Sequence, residues 1–211
     1  MLTIDRLTAE QKALRTRMDP HFMFNVLSSL QYLILRKKND QANLFLNRFS
    51  SLLRNTLKQS DIEVISISEE LTFLTEYIEL EKMRLEDSFE FFIEIDELID
   101  KSNVIPPFII QPFVENSIQH GLKAYQIGGV LSLKLSLQGV FLKVVVRDNG
   151  MGYNNSKTSK VNRDKSYGIQ TIEQRLKMYN NNKKDENIKI IDLETIGERG
   201  TEVEVLIKLK K

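Results

Sequence analysis

Val140-Phe-Leu-Lys-Val-Val-Val-Arg-Asp148-Asn-Gly-Met-Gly152 is the stretch on which the reading of this chain turns. Leu142, Val144 and Val146 recur at every second position, the period of a strand with one buried face. Asp148 shares their parity, so its carboxylate points to that buried face. A carboxylate there is costly unless a donor meets it. Gly150 and Gly152 then leave room for a ligand to approach the backbone. Just upstream, Leu131, Leu133, Leu135 and Leu137 alternate with polar residues. The Gln138-Gly139 turn joins the two runs, so they read as a hairpin.

Working outward, glycine divides the chain. All nine glycines lie at or after Gly121, which suits a helical first part and a mixed, loop-bearing second part. Met23, Leu27, Leu30 and Ile34 recur at helical spacing, widened by Phe22, Val26 and Leu33. Ala42, Phe45, Phe49, Leu52, Leu53 and Leu57 form a second amphipathic run beyond the polar turn Arg36-Lys-Lys-Asn-Asp40. Two such helices make an antiparallel hairpin, and one hairpin cannot bury two wide apolar stripes. A four-helix dimer is the natural completion.

Ser66-Ile-Ser-Glu69 fits a capping box and starts a third helix carrying Leu71, Leu74, Ile78 and Leu85. Phe89, Phe91, Ile93 and Ile95 alternate as a half-buried strand. Pro106-Pro107 reads as the opening of a helix ending at Gly121. Residues 149–167 are polar and rich in Gly, Asn, Ser and Lys, too long for a simple turn and therefore a lid. A helix over about 168–180 and strands near 187–193 and 201–209 complete the chain. The expected class is α+β: a helical hairpin over residues 1–62, then a two-layer α/β sandwich with a mixed sheet over 63–211.

Composition narrows the function. The 211 residues carry 30 Lys+Arg against 29 Asp+Glu, a balance that argues against nucleic acid as a partner. No stretch approaches 18 uncharged apolar residues, and Met1-Leu-Thr-Ile-Asp-Arg6 lacks a signal-peptide core. The absence of cysteine removes disulfides, thiolate nucleophiles and thiolate zinc sites. Only His21 and His120 offer an imidazole.

Glu115-Asn-Ser-Ile-Gln-His-Gly121, Asp148-Asn-Gly-Met-Gly152 and Gly197-Glu-Arg-Gly-Thr201 are the segments that carry chemistry. An adenine exocyclic amine is a suitable donor for Asp148. Asn116 offers a hard amide oxygen and Glu115 a carboxylate, and Mg²⁺ uses few protein ligands beside phosphate oxygens and water. Lys157, Lys160, Arg163 and Lys165 of the lid carry charge for phosphate, and a helix beginning near Gly168 would aim its first amides there.

In order and spacing these segments resemble the N, G1 and G3 boxes of the ATPase superfamily of DNA gyrase, heat-shock chaperones, histidine kinases and mismatch-repair proteins. Tyr167-Gly-Ile-Gln-Thr-Ile-Glu-Gln-Arg-Leu176 resembles the G2 box. Upstream, Arg17-Met-Asp-Pro-His-Phe-Met-Phe-Asn25 supplies a proline beside His21, with Asn25 one helical turn on. Such a P-H-F-x-F-N run before this ATPase domain resembles the LytS/YehU class of two-component sensor histidine kinases. The resemblance implies that His21 is phosphorylated and that the hairpin dimerises. It makes Glu115 a water-activating or metal-binding residue, Asn116 a metal and nucleotide ligand, and Asp148 the adenine anchor. It also places His120, Gly150, Gly152, Gly168, Arg175, Gly200 and Thr201 around ATP, with Mg²⁺ as the metal. The partners it implies are a second copy of the chain and a response-regulator receiver domain. The chain begins inside a helical pattern, so it reads as the cytoplasmic fragment of a protein anchored to the membrane by preceding segments.

Departures from the class pattern are confined to a few positions. Asp19 replaces Asn, Phe22 follows the histidine where conventional kinases have an acid, and the G2 and G3 boxes read Ser166-Tyr-Gly168 and Glu198-Arg-Gly200. Thr171 also replaces a usual Asn. The base for His21 stays open among Asp19, Asn25 and Glu115. Two other readings use the same motifs: a Ser/Thr kinase of the anti-sigma type, and a nucleotide-binding module without transfer activity.

Overall fold

The computed structural model describes residues 20–59, 62–123, 128–152, 162–181 and 187–210, with the backbone alone for 20, 21 and 162–167. The chain divides into two compact units at the boundary between Ile62 and Glu63. Asp19, Lys157 and Lys160 lie outside the described residues, as does any kink on the N-terminal side of Pro20.

The first unit is a helical hairpin. Helix α1 (Pro20–Leu35) and helix α2 (Asn39–Gln59) are joined by a tight turn whose Lys37 adopts φ 57°. Phe22 and Val26 of α1 and Ala42, Phe45, Phe49 and Leu52 of α2 are buried, with the Phe22 and Phe49 rings 6.5 Å apart. The inward face of α1 is therefore rotated from the expected stripe. Leu27 and Ile34 remain 53% and 55% exposed, and Phe24 and Leu35 are also outside. Phe22 and Val26 take the inward positions because they lie one helical turn apart on the side that meets α2.

The second unit packs helices on one face of a mixed sheet. Strand β1 (Ile65–Ser66) leads directly into helix α3 (Ile67–Arg84). Ser66 caps α3 as expected: its hydroxyl accepts from the Glu69 amide while the Glu69 carboxylate accepts from the Ser66 amide at 2.8 Å. Strands β2 (Phe89–Ile95) and β3 (Val104–Ile105) follow, β3 pairing with β1. Next come helix α4 (Gln111–Asn116), continued by one π-helical turn over Ser117–Leu122, and the hairpin of β4 (Gly129–Gln138) and β5 (Phe141–Asp148). Helix α5 (Asn162–Asn180), strand β6 (Ile188–Asp192) and strand β7 (Thr201–Lys208) complete the unit. The main sheet runs β2-β4-β5-β7-β6, with β2 and β4 parallel and the other pairs antiparallel.

The alternation in β4 and β5 carries the core. Leu131, Leu133, Leu135, Leu142, Val144 and Val146 are buried, and Asp148 is buried in phase with them. Strand β2 is less enclosed than its pattern suggests. Phe89 is buried but Ile93 is exposed, because β2 is an edge strand with β4 as its one neighbour.

Three expected boundaries are corrected. The turn of the β4–β5 hairpin is Gly139-Val140, one residue beyond the expected pair. Helix α4 starts at Gln111, not at Pro106-Pro107. The intervening backbone, including Phe108 at φ 55°, is held by the carboxylate of Glu70 and not by helical hydrogen bonds. Helix α5 starts at Asn162, so Gly168 lies inside it and cannot present the first amides of a helix. A Cβ at Gly168 would meet nothing within 4 Å, so neither packing nor backbone conformation requires glycine there.

Candidate nucleotide site

Register brings the site together. Asp148 pairs with Thr201 across β5 and β7, and Thr201 pairs in turn with Asp192 of β6. The three lie in one row at one end of the sheet, on the same face. The π-helical turn after α4 runs past this row. A cleft open to solvent lies between them. Phe113, Asn116, Ser117, His120 and Gly121 line it from α4 and its continuation, Asp148, Thr201, Val203 and Ile190 from the strands, and Gly152 from the loop after β5. Ile169 of α5 closes one side. π-helical turns inside α-helices are frequent at functional sites, and this one places His120 and Asn116 along the same wall.

Asp148 is only 3% exposed, and its Oδ1 accepts from the Gly150 amide at 2.9 Å. It thus both caps its own turn and faces the cleft. Glycine at position 150 answers a close approach: a Cβ there would lie 2.4 Å from the Gly121 Cα. Gly121 does not end its helix. It lets the helix touch the Asp148 carboxylate, whose Oδ1 a Cβ at 121 would meet at 2.7 Å. Gly200 adopts φ 110° beneath the Asp148 carbonyl, where a Cβ would overlap the oxygen. Asn149 secures the neighbouring loop by accepting from the Val130 amide and donating to the Gly128 carbonyl.

Of the residues singled out in the sequence, the structure brings together Asn116, His120, Asp148, Gly152 and Thr201 on the cleft, with Gly150 and Gly200 packed behind it. The others stand elsewhere. Glu115 is not among the lining residues. Its charge acts on Tyr77, whose hydroxyl is held well above its ordinary pKa first by burial and then by Glu115 and Glu81. Arg175 donates from Nη2 to the Pro107 carbonyl at 2.9 Å and also does not line the cleft. Gly168 sits in mid-helix. His21 is the second residue of the described α1, and Asn25 follows one turn later in the same helix. Among the described residues, no group of three acidic or imidazole side chains forms a metal cage.

Sequence reasoning missed the polar interior behind α4. Glu70 and Glu81 of α3 are fully buried. Glu81 is clamped by Arg84 at 2.5 Å and accepts from Gln119 Nε2 at 3.0 Å, which fixes the cleft-forming helix from its rear. Burial pushes the Glu70 carboxyl up to about 7, against the lowering influence of the Ile110, Phe108 and Ile109 amides and of Arg175. The signal was present. Ile67, Glu70, Leu74, Tyr77 and Glu81 follow one another at spacings of three and four, so both acids lie on the apolar stripe of α3.

The arrangement defines an α+β protein with a cleft at the end of a mixed sheet, the fold of a histidine kinase domain. The histidine kinase domain of the Erythrobacter litoralis EL346 blue-light activated histidine kinase shares that fold over 98% of this chain and 95% of that one, with a TM-score of 0.50 and 15% identity. The chain belongs to the histidine kinase family and is similar to the LytS-type sensor proteins over part of their length. The family model named Histidine kinase matches residues 9–89. Sensor histidine kinase YpdA of Escherichia coli is 35% identical over 144 residues, 68% of this chain and 25% of that protein. Sensor protein LytS of Streptococcus mutans is 33% identical over 68% of this chain and 24% of its own length. YwpD of Bacillus subtilis is 32% identical over 209 residues, covering 95% of this chain and 70% of that protein. The chain thus spans about a quarter of the two sensor proteins. Among the described residues no helix is long and apolar enough to cross a membrane.

Proposed function

We propose that this chain is the phosphotransfer core of a two-component sensor histidine kinase: it binds Mg·ATP in the cleft, phosphorylates His21 and passes the phosphoryl group to an aspartate of a response-regulator receiver domain. The observation that carries the reading is the convergence of Asn116, His120, Asp148 and Thr201, from three distant segments, on one cleft. Asp148 and Thr201 bind the adenine edge at the sheet end, and the apolar walls of Phe113, Ile190 and Val203 take its ring faces. Asn116 and His120, on the opposite wall, attend the phosphates. Mg²⁺, held by Asn116, supplies charge neutralisation to the phosphates.

The transfer itself asks little covalent chemistry of the protein. A lone pair of a neutral His21 nitrogen forms the N–P bond as the bond from the γ-phosphorus to the β–γ bridging oxygen breaks, and ADP leaves with that electron pair. The proton on the other ring nitrogen is given up as the phosphohistidine neutralises. With an unperturbed pKa near 6.5, an imidazole needs no strong base at pH 7. The hairpin serves as the dimerisation element, since Leu27, Ile34, Phe24 and Leu35 of α1 leave an apolar face that one hairpin does not cover. Incubation with γ-labelled ATP and Mg²⁺ tests the proposal. Acid-labile label on the chain is expected. Acid-stable label favours a Ser/Thr kinase, and ATP binding without label favours a binding module.

A further inference from the structure

The loop Pro106–Ile110 joins three elements of the second unit. Glu70 of α3 reaches it from below: its Oε2 accepts from the Phe108 amide at 3.0 Å and its Oε1 from the Ile110 amide at 3.2 Å. Arg175 of α5 reaches it from the side and donates to the Pro107 carbonyl. The loop runs straight into α4, whose first turn has no side-chain cap of its own. A helix start leaves its first amides without intrahelical partners, and here a carboxylate distant in sequence takes the amide of the N-cap residue Ile110 together with that of Phe108 two residues before it. Phe108 is held at φ 55°, a conformation that a non-glycine residue keeps only when its surroundings impose it. Glu70 is fully buried, and Arg175 is the charged group that acts on it from α5.

We infer that Glu70 and Arg175 are positioning residues for nucleotide handling. Acting through one loop, they fix the start of the helix that carries Asn116 and His120 and tie it to α5. Neither touches the nucleotide. This assigns Arg175 a different role from the direct nucleotide contact that its place in the G2-like segment implies, and it rests on the reading of the cleft as an ATP site. Glu115 stands five positions beyond Glu70's partner Ile110, and Asn116 six, so a shift at the loop passes along less than two turns of helix.

The two roles differ in a double-mutant cycle. A phosphate ligand and an independent helix cap contribute separately, so their losses multiply. Two supports of one loop do not. Glu70→Gln puts an amide donor where both oxygens accept, and Arg175→Ala removes the second support; each should lower Mg·ATP affinity by about tenfold, and the pair by little more than either. Calorimetry with ATP in the presence and absence of Mg²⁺, on the full chain above the Glu70 pKa of about 7 so that its carboxyl is ionised, reads this out. Because Asn116 carries the metal, the loss should be larger with Mg²⁺ than without it. Arg175→Lys retains a donor for the Pro107 carbonyl and should recover most of the affinity; it also serves if Glu70→Gln does not fold. Losses that multiply to a hundredfold in the double variant overturn the inference, as does Arg175→Lys binding as weakly as Arg175→Ala. Unchanged affinity in folded single variants overturns it too, and leaves the ATP site standing. A wild-type chain that binds no ATP removes the underlying reading itself.

Discussion

Asp148→Asn separates binding from folding at the centre of the cleft. In the folded chain Asp148 has one oxygen 2.9 Å from the Gly150 amide and is otherwise enclosed. An asparagine can keep that contact through its amide oxygen. The turn then exchanges an ionised acceptor for a neutral one, a loss of about 0.5–1.5 kcal/mol in stability. The other position becomes an NH₂ group. Facing the cleft, it presents a donor to adenine's own amine, where a carboxylate presented an acceptor. Losing a charge-assisted hydrogen bond costs on the order of 1.5–3 kcal/mol, or about 10- to 150-fold in affinity. Calorimetric titration with ATP measures the second effect and denaturant unfolding the first. The expected pattern is a large loss of affinity with a small loss of stability. Stability falling while affinity stays within twofold would leave Asp148 as a turn cap alone and refute its role as the adenine anchor.

The other predictions follow from particular contacts. Gly168→Ala should stabilise the chain by about 0.5–1 kcal/mol in denaturant unfolding, because Gly168 lies inside α5 with open space around it; destabilisation there would place the start of the helix nearer to 168. Leu27→Asp should convert a dimer to monomers by light scattering without loss of helicity, since Leu27 faces outward from the hairpin; an unchanged mass would exclude that face from the interface. Stability should fall as pH rises from about 4.5 to 7, because folded Glu70 keeps its proton to about 7 while the unfolded chain releases it near 4.5. The amplitude is on the order of 3 kcal/mol at most, and Glu70→Gln should flatten that part of the profile.

The parts of the fold that could be read in the sequence were those governed by local periodicity. The alternation leading to Asp148, the Ser66 capping box and the hairpin helices each follow from spacing within one element. Most of the residues that line the cleft fall in short runs of sequence, one along α4 and its π-helical turn, one ending β5 and one opening β7. Errors arose where a partner distant in sequence overrides a local signal. Pro106-Pro107 resembles a helix opening, yet Glu70 claims the amides that follow, and the helix waits until Gln111. Gly168 resembles a boundary, but helical hydrogen bonding through Asn162–Asn180 tolerates one exposed glycine at about 1 kcal/mol. Arg175 and Glu115 sit in motif-like runs, and their links to Pro107 and Tyr77 join elements that spacing alone does not bring together. The inward face of α1 was misjudged for the same reason: an apolar stripe that is wide all round does not say which part meets α2.

The proposed phosphotransfer depends on His21 as the acceptor of the γ-phosphoryl group of ATP. The most direct measurement is the acid-labile label that wild type, His21→Gln and His120→Gln chains take up from γ-labelled ATP and Mg²⁺, with ATP affinity measured alongside. Wild type should take up label, His120→Gln should do so more slowly through weaker ATP handling, and His21→Gln should take up none despite normal ATP affinity. Acid-labile label retained by His21→Gln would contradict it.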